Sequence, residues 1–172
     1  MATKKYYGEL IILFFFTNMT KIGYLIAVNI TLIDQITKWW ILDSMMQPPR
    51  TIPLTPFFNL VLAWNSGISF GLLNNNNDFN ALMLSILAIF ILVFLHFWLN
   101  KAETKQIAIG LGLIIGGAIG NVIDRLVHGA VVDFLDFHLN NYHWPAFNVA
   151  DSSITIGAII LILDSLFSIN QK

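Results

Sequence analysis

Asp124, Arg125, Asp133, Asp136 and Asp151 fall within one stretch of the chain, running from G-N-V-I-D-R through V-V-D-F-L-D-F-H to F-N-V-A-D. Long apolar runs enclose it on both sides, and ionisable groups close to a hydrocarbon core are costly unless they serve a site. Two carboxylates brought to one place share a proton, because like charges about 3 Å apart cannot both ionise comfortably. One then acts as base to activate water and the other as acid toward a scissile carbonyl and leaving nitrogen. Asp133 and Asp151 are the candidates for such a pair. Asp151 stands in N-V-A-D-S-S-I-T, where a helix start favours an anion, although that pattern also fits a plain N-cap. Asp133 and Asp136 share the strand-like segment A-V-V-D-F-L-D-F. Side chains of a strand alternate, so only one of these two turns easily into a shared site. Asp136, like Asp43, is expected to face solvent.

The elements that must position these groups are membrane spans. The chain has 172 residues, 56% hydrophobic and 11% charged, with a mean hydropathy of +0.71; a soluble domain carries roughly 25% charged residues. Runs of about 20 apolar residues suffice to cross a bilayer. Four are expected: Ile22 to Leu42, Asn80 to Leu99, Gln106 to Ile123 and Ala150 to Phe167. The absence of cysteine excludes disulfides and thiolate sites, and a net charge of -1 argues against a nucleic-acid partner. The reading is an all-α polytopic membrane protein of one domain, residues 1–172, with a small β-element at one end.

The second and third spans are joined by the short N-K-A-E-T-K turn, whereas the connections Asp43–Phe79 and Asp124–Val149 are long and hold every proline. Those two connections must share a side. Lys4, Lys5, Lys21, Lys101, Lys105 and Lys172 lie in the tails and the short turn, so both termini are expected inside and both long connections outside. The first 20 residues, with the apolar Leu10–Phe16, read as a cytoplasmic lead-in. In the first long connection, Phe57–Leu73 reads as a strand pair or curved sheet turned by Asn65-Ser66-Gly67, and Asn74–Asn77 with Asp78 reads as a hinge capping the second span. Gly112, Gly116 and Gly120 repeat at helical spacing, which allows close helix approach, and Asn121 follows at the outer end.

Taken together the motifs resemble those of the lipoprotein signal peptidases (signal peptidase II), aspartic proteases of the bacterial inner membrane. The resemblance is carried by D-Q-I-T-K (Asp34–Lys38), W-N-S-G-I-S-F (Trp64–Phe70), G-G-A-I-G-N-V-I-D-R (Gly116–Arg125), V-V-D-F (Val131–Phe134) and F-N-V-A-D (Phe147–Asp151). It implies that Asp133 and Asp151 are catalytic, that Asn65, Asn121, Arg125 and Asn148 contact substrate, and that Asp34, Lys38, Asp124, Gly67 and Gly120 support the site. It further implies a diacylglyceryl-modified prolipoprotein as substrate, cut on the amino side of the lipidated cysteine, with no cofactor and no metal. A monomer in the inner membrane, in contact with lipid, is expected. Asp34 and Lys38, spaced i, i+4, also read as a simple helical pair, and Asp124 and Arg125 as the end of the third helix.

Three rival readings exist. A zinc protease would use His128, His138 and His143 with Asp133 or Asp136, but their spacing fits no helical H-E-x-x-H pattern. A serine hydrolase would use Ser152 or Ser66 with Lys38, without an elbow motif. A proton-coupled transporter would keep its acids near the midplane, whereas these cluster at one end of the spans. His96 reads as an interfacial ring, and Asp164 as reaching the opposite interface.

Overall fold

The computed structural model describes residues 18–45, 47–67 and 77–169. Four of its helices are long and apolar enough to cross a membrane: residues 18–45, 79–99, 105–128 and 149–167. They are α1 (Asn18–Trp40, continued by a wider π turn over Ile41–Met45), α2 (Asn77–Leu99), α3 (Lys105–His128) and α4 (Val149–Ile169). The protein is therefore a multi-pass membrane protein. The Leu10–Phe16 segment and residues 68–76, which include most of the expected hinge, lie outside the described residues.

Glycine makes α3 the helix against which the other three pack. A Cβ at Gly116 would lie 2.6 Å from the Ala27 carbonyl oxygen of α1, and one at Gly120 would collide with the Asp34 carboxylate. Only backbone without a side chain permits that approach. On its other faces α3 packs on α4 near Gly110 and Gly117 and on α2 through Leu111, Leu95 and Leu99. At that same end His96, exposed, bonds to the Tyr24 hydroxyl and to Asn100.

The third span runs further than expected. Thr104 caps its start, accepting from the Ile107 N–H at 3.2 Å, and it ends only at Gly129, whose φ of 73° is left-handed. Gly129 is the first residue after the span able to take that cap without a Cβ penalty, and Arg125 and His128 in the last turn suit the negative end of the helix dipole. Asp124 and Arg125 are thus helical residues rather than the beginning of the connection.

The two long connections meet in one antiparallel sheet, ordered β1-β2-β3-β4. β1 (Ile52–Thr55) and β2 (Phe58–Asn65) come from the first, β3 (Val131–Leu139) and β4 (Tyr142–His143) from the second. Pairing of β2 with β3, Ala63 opposite Asp133 and Asn59 opposite Asp136, puts both connections at one end of the bundle. Of the strand pair or curved sheet expected within Phe57–Leu73, the first half is β2, which turns back on β1 at Pro56–Phe57 and ends at Asn65-Ser66-Gly67; residues 68–73 lie outside the described residues. The Gly67 N–H donates to Asn65 Oδ1 at 2.8 Å, and Gly67 has a φ of 87°, which closes a side-chain turn where a strand would otherwise continue. Ile41, Leu60 and Phe134 form a small core that seats the sheet on the helix ends.

Asp136 does not face solvent. It is 5% exposed, accepting from Asn59 Nδ2 at 2.9 Å and from His143 Nδ1 at 2.8 Å. Burial alone would raise its carboxyl, but those bonds outweigh it and hold the group below the ordinary range. Alternation along β3 does turn it away from Asp133; the expectation failed because the side chains of Asn59 on β2 and His143 on β4, strands on either side of β3, close on the carboxylate. Asp43 is exposed.

Candidate active site

A polar stripe on α1 starts the site. Thr31, Asp34, Gln35 and Lys38 follow one another at i, i+3, i+4 and i+7, one face of a helix, on an otherwise apolar span. All four reach α3 or α4. Thr31 Oγ1 donates to the Gly116 carbonyl at 3.0 Å. Gln35 Nε2 donates to Asp124 Oδ1 at 2.9 Å and to the Gly120 carbonyl at 3.2 Å. Lys38 Nζ lies 2.8 Å from Asp34 Oδ2, 2.9 Å from Asp124 Oδ2 and 3.0 Å from Asn121 Oδ1. Three acceptors around an ammonium match its three donors, so Asp34 and Lys38 are far more than a local i, i+4 pair. Gln35 was missed as a site residue, although its place on that stripe was legible.

Each acceptor of the cluster holds a further element. Asp34 Oδ1 accepts from the Ala150 N–H at 2.9 Å, satisfying an otherwise free donor in the first turn of α4. Asp124 Oδ2 accepts from the Val132 N–H at 3.0 Å, fixing β3 one residue before Asp133. Asn121 turns its amide nitrogen the other way, to Asp151 Oδ1 at 2.8 Å.

Asp151 is not the N-cap of α4; Asn148 is. Asn148 Oδ1 accepts from the Asp151 N–H at 2.9 Å, while Asp151 Oδ2 accepts from the Asn148 N–H at 3.2 Å, the reciprocal arrangement of a capping box. With its oxygen so committed, the Asn148 side chain presents Nδ2 to Asp133 Oδ1 at 2.7 Å, and also to the Val132 carbonyl at 3.2 Å and Asn121 Oδ1 at 3.3 Å. On its other oxygen Asp133 accepts from Asn65 Nδ2 at 2.9 Å, an amide whose orientation the Gly67 N–H fixes. Asp133 and Asp151 are therefore each one hydrogen bond from the same asparagine.

Their surroundings differ. Asp133 is 2% exposed, and its carboxyl is pushed up to about 6, by burial first and also by the Asp151 charge, against bonds from Asn65 and Asn148 and the charge of Lys38. Asp151 is only half-buried and sits in the first turn of α4, where the helix dipole favours an anion. The arrangement can keep a proton on Asp133, as the acid of an acid–base hydrolysis requires.

Arg125 stands beside the pair. Nη1 donates to the Asn121 carbonyl at 3.3 Å, and the guanidinium acts electrostatically on Asp151 first, then on Asp124 and Asp133. Asn65, Gly67, Asn121, Arg125 and Asn148 thus belong to one connected neighbourhood with Asp34, Asp124, Asp133, Asp151 and Lys38. The histidines do not. His128 packs edge-on to Trp64 at 5.6 Å, and His138 stacks on His143 at 5.0 Å, so they offer no shared ligand set. Ser152 Oγ is bonded to the Asn148 carbonyl at 2.8 Å, and Lys38 is held by its three acceptors, which leaves the serine reading without a base.

The chain is similar to known proteins over most of its length. The family model described as Signal peptidase (SPase) II matches residues 26–167. A lipoprotein signal peptidase of Ralstonia nicotianae is 50% identical over 137 residues, 78% of this chain and 78% of that one. Another, from Rhodopseudomonas palustris strain TIE-1, is 44% identical over 151 residues, 85% of this chain and 92% of the relative. A bacterial membrane enzyme solved by the in meso method superposes with a TM-score of 0.74 at 35% identity, covering 84% of this chain and 92% of that one.

Proposed function

The chain belongs to the signal peptidase II family of membrane proteases, and from that premise we propose that it is an aspartic endopeptidase that removes signal peptides from prolipoproteins. The bond cut lies on the amino side of a cysteine that already carries a diacylglyceryl group. The observation that supports this most directly is the position of Asn148, which holds Asp133 and Asp151 on either side of one amide. In this reading ionised Asp151 draws a proton from water, the water oxygen attacks the carbonyl, and Asp133 gives its proton to the carbonyl oxygen. As the tetrahedral intermediate collapses, Asp151 passes the proton it took from water to the leaving nitrogen, the C–N bond breaks, and Asp133 regains a proton from an intermediate hydroxyl. Asn65, Asn121, Arg125 and Asn148 hold the peptide, and Asp34, Lys38, Asp124, Gly67 and Gly120 keep α1, α3 and β3 in place around it.

The lipid does physical work in this scheme. Acyl chains in the bilayer fix the depth of the cysteine and present its peptide bond to the pair, so that encounter costs little orientation entropy. The test is turnover of a lipidated precursor against the same precursor without lipid. The lipidated form is expected to be cut with a kcat/KM greater by about 10²-fold or more; equal turnover would refute lipid-directed recognition.

Activity should also depend on pH with a definite sign. The proton that the reaction needs on Asp133 is in place below its value of about 6, and a rate that depends on it falls about tenfold per unit above that. The limb belongs to the coupled pair rather than to one residue. Asn65→Ala removes a bond that favours the ionised form, so it should move this limb to higher pH. A rate that rises through pH 6 and stays high would assign the two roles the other way round.

The membrane in question is the bacterial inner membrane, with both termini cytoplasmic and the sheet and pair at the outer face. Lys101 and Lys105, in the turn opposite the sheet, support that orientation. A periplasmic reporter fused at Asn141 should be active and one at Glu103 silent; the reverse pattern would invert the topology.

A further inference from the structure

The end of the bundle opposite the sheet, where α2 turns into α3, holds a group of side chains that the reaction does not use. Phe94, Phe97, Trp98 and Lys101 follow one another at i, i+3, i+4 and i+7, one face of a helix, and together they line a cavity of about 350 Å³. Its walls are almost wholly apolar. Phe94, Phe97 and Trp98 are exposed on a span, so the cavity opens toward lipid. Lys101 stands just beyond the last turn of α2 and is kept over the same face by its N–H, which donates to the Trp98 carbonyl at 2.9 Å. The rings are braced. Trp98 tilts against Phe94 at 6.1 Å, and Phe97 meets His96 edge-on at 5.4 Å. His96 is itself bonded on one ring nitrogen to the Tyr24 hydroxyl of α1 and on the other to Asn100. Two polar groups at the mouth are unmatched among the described residues: Lys101 has no acidic partner, and the Trp98 indole N–H has no acceptor.

We propose that this face binds an anionic glycerophospholipid of the bilayer, with its phosphate on Lys101, an ester carbonyl on the Trp98 N–H and an acyl chain along Phe94 and Phe97. The depth fits. Phe94 lies about 10 Å below Lys101 at a rise of about 1.5 Å per residue, so the stripe runs from the headgroup level into the acyl region, with the indole at the boundary between them. Charge decides the class of lipid. The turn carries Lys101 and Lys105 against Glu103, and a choline headgroup would bring a further cation to that basic edge, whereas a phosphate under a neutral headgroup brings a net anion. A free phosphate would leave the apolar wall uncovered. In this arrangement His96 is a positioning residue, holding the Phe97 wall through its bonds to Tyr24 and Asn100. The site is remote from the aspartate pair, and the inference does not rest on the peptidase reading.

The test is native mass spectrometry of the full-length protein released from mixed micelles that hold equal amounts of phosphatidylglycerol and phosphatidylcholine with identical chains. Wild type is expected to retain phosphatidylglycerol over phosphatidylcholine by about fivefold, the preference that one lysine gives at a lipid surface. Lys101→Gln should abolish that preference, and Lys105→Gln, which removes the same charge from the same turn, should leave it unchanged. Trp98→Ala, with Lys101 intact, should lower retention of phosphatidylglycerol. Glycerophosphate, which has the headgroup chemistry without the chains, should not displace the lipid. Equal retention of the two lipids by wild type, or an equal loss of preference in Lys101→Gln and Lys105→Gln, would overturn the site in favour of ordinary boundary lipid and diffuse surface charge. Preferential retention of phosphatidylcholine would overturn it in favour of a cation–π contact on the indole. Unchanged retention in Trp98→Ala, or displacement by glycerophosphate, would remove the apolar wall from recognition and refute the lipid assignment.

Discussion

Asp133→Asn and Asp151→Asn are each expected to lower cleavage of a lipidated precursor by about 10³-fold or more, since each removes one half of a proton-transfer pair. The two should differ in stability. Asp133 accepts from two amides whose orientations are fixed elsewhere, Asn65 by the Gly67 N–H and Asn148 by the Asp151 N–H. An asparagine at 133 must turn its own NH₂ toward one of those donors, which leaves a buried bond unmade at about 1–3 kcal/mol. Asp151 is half-buried and accepts from one side chain and one backbone N–H, so the loss there should be smaller. Turnover measured beside thermal unfolding in detergent separates the two effects. Asp133→Asn with activity within tenfold of wild type would eliminate the aspartic mechanism. Ser152→Ala should keep most of the activity.

Lys38→Met is the second large effect, and it acts on the fold before it acts on chemistry. The ammonium is almost wholly buried between Asp34 and Asp124. Removing it leaves two buried carboxylates facing each other without a counter-charge, and breaking a buried ion pair in this way costs about 3–5 kcal/mol. The loss should spread to the reaction centre, because Asp34 holds the Ala150 N–H of α4 and Asp124 holds the Val132 N–H beside Asp133. A lower unfolding temperature and a strongly reduced rate are expected together. Adding Asp124→Asn to Lys38→Met should recover part of the stability by removing one of the stranded charges, without restoring the rate. Lys38→Met with wild-type unfolding would mean that the cluster carries no net ionic interaction.

Much of this molecule was legible along the chain. Four spans follow from apolar run length, and their common packing on α3 from the glycine spacing. The opposed directions of Asp133 and Asp136 follow from strand alternation, and the Thr31, Asp34, Gln35 and Lys38 stripe from helical periodicity. These are local properties, set by backbone geometry and solvent within one element, and a sequence records them directly. The motifs also carried the family, which the comparisons show.

Tertiary structure alone decided who meets whom. That Asp34 satisfies the Ala150 N–H, 116 residues away, and that one ammonium serves α1 and α3 together, cannot be read from the period of either helix. The sheet joins strands from two connections whose turn signals predicted only their local ends. Asp136 is buried because side chains from β2 and β4, the strands on either side of β3, close on it, and Asp151 takes the third helical position of a capping box because Asn148, not Asp151, ends the preceding loop. Asn148 owes its orientation to the helix it caps and its importance to the strand it touches, and only the assembled bundle brings those two together. The sequence by itself determined which residues could do acid–base chemistry; long-range hydrogen bonds, many of them satisfying a buried donor or acceptor, determined which of them meet.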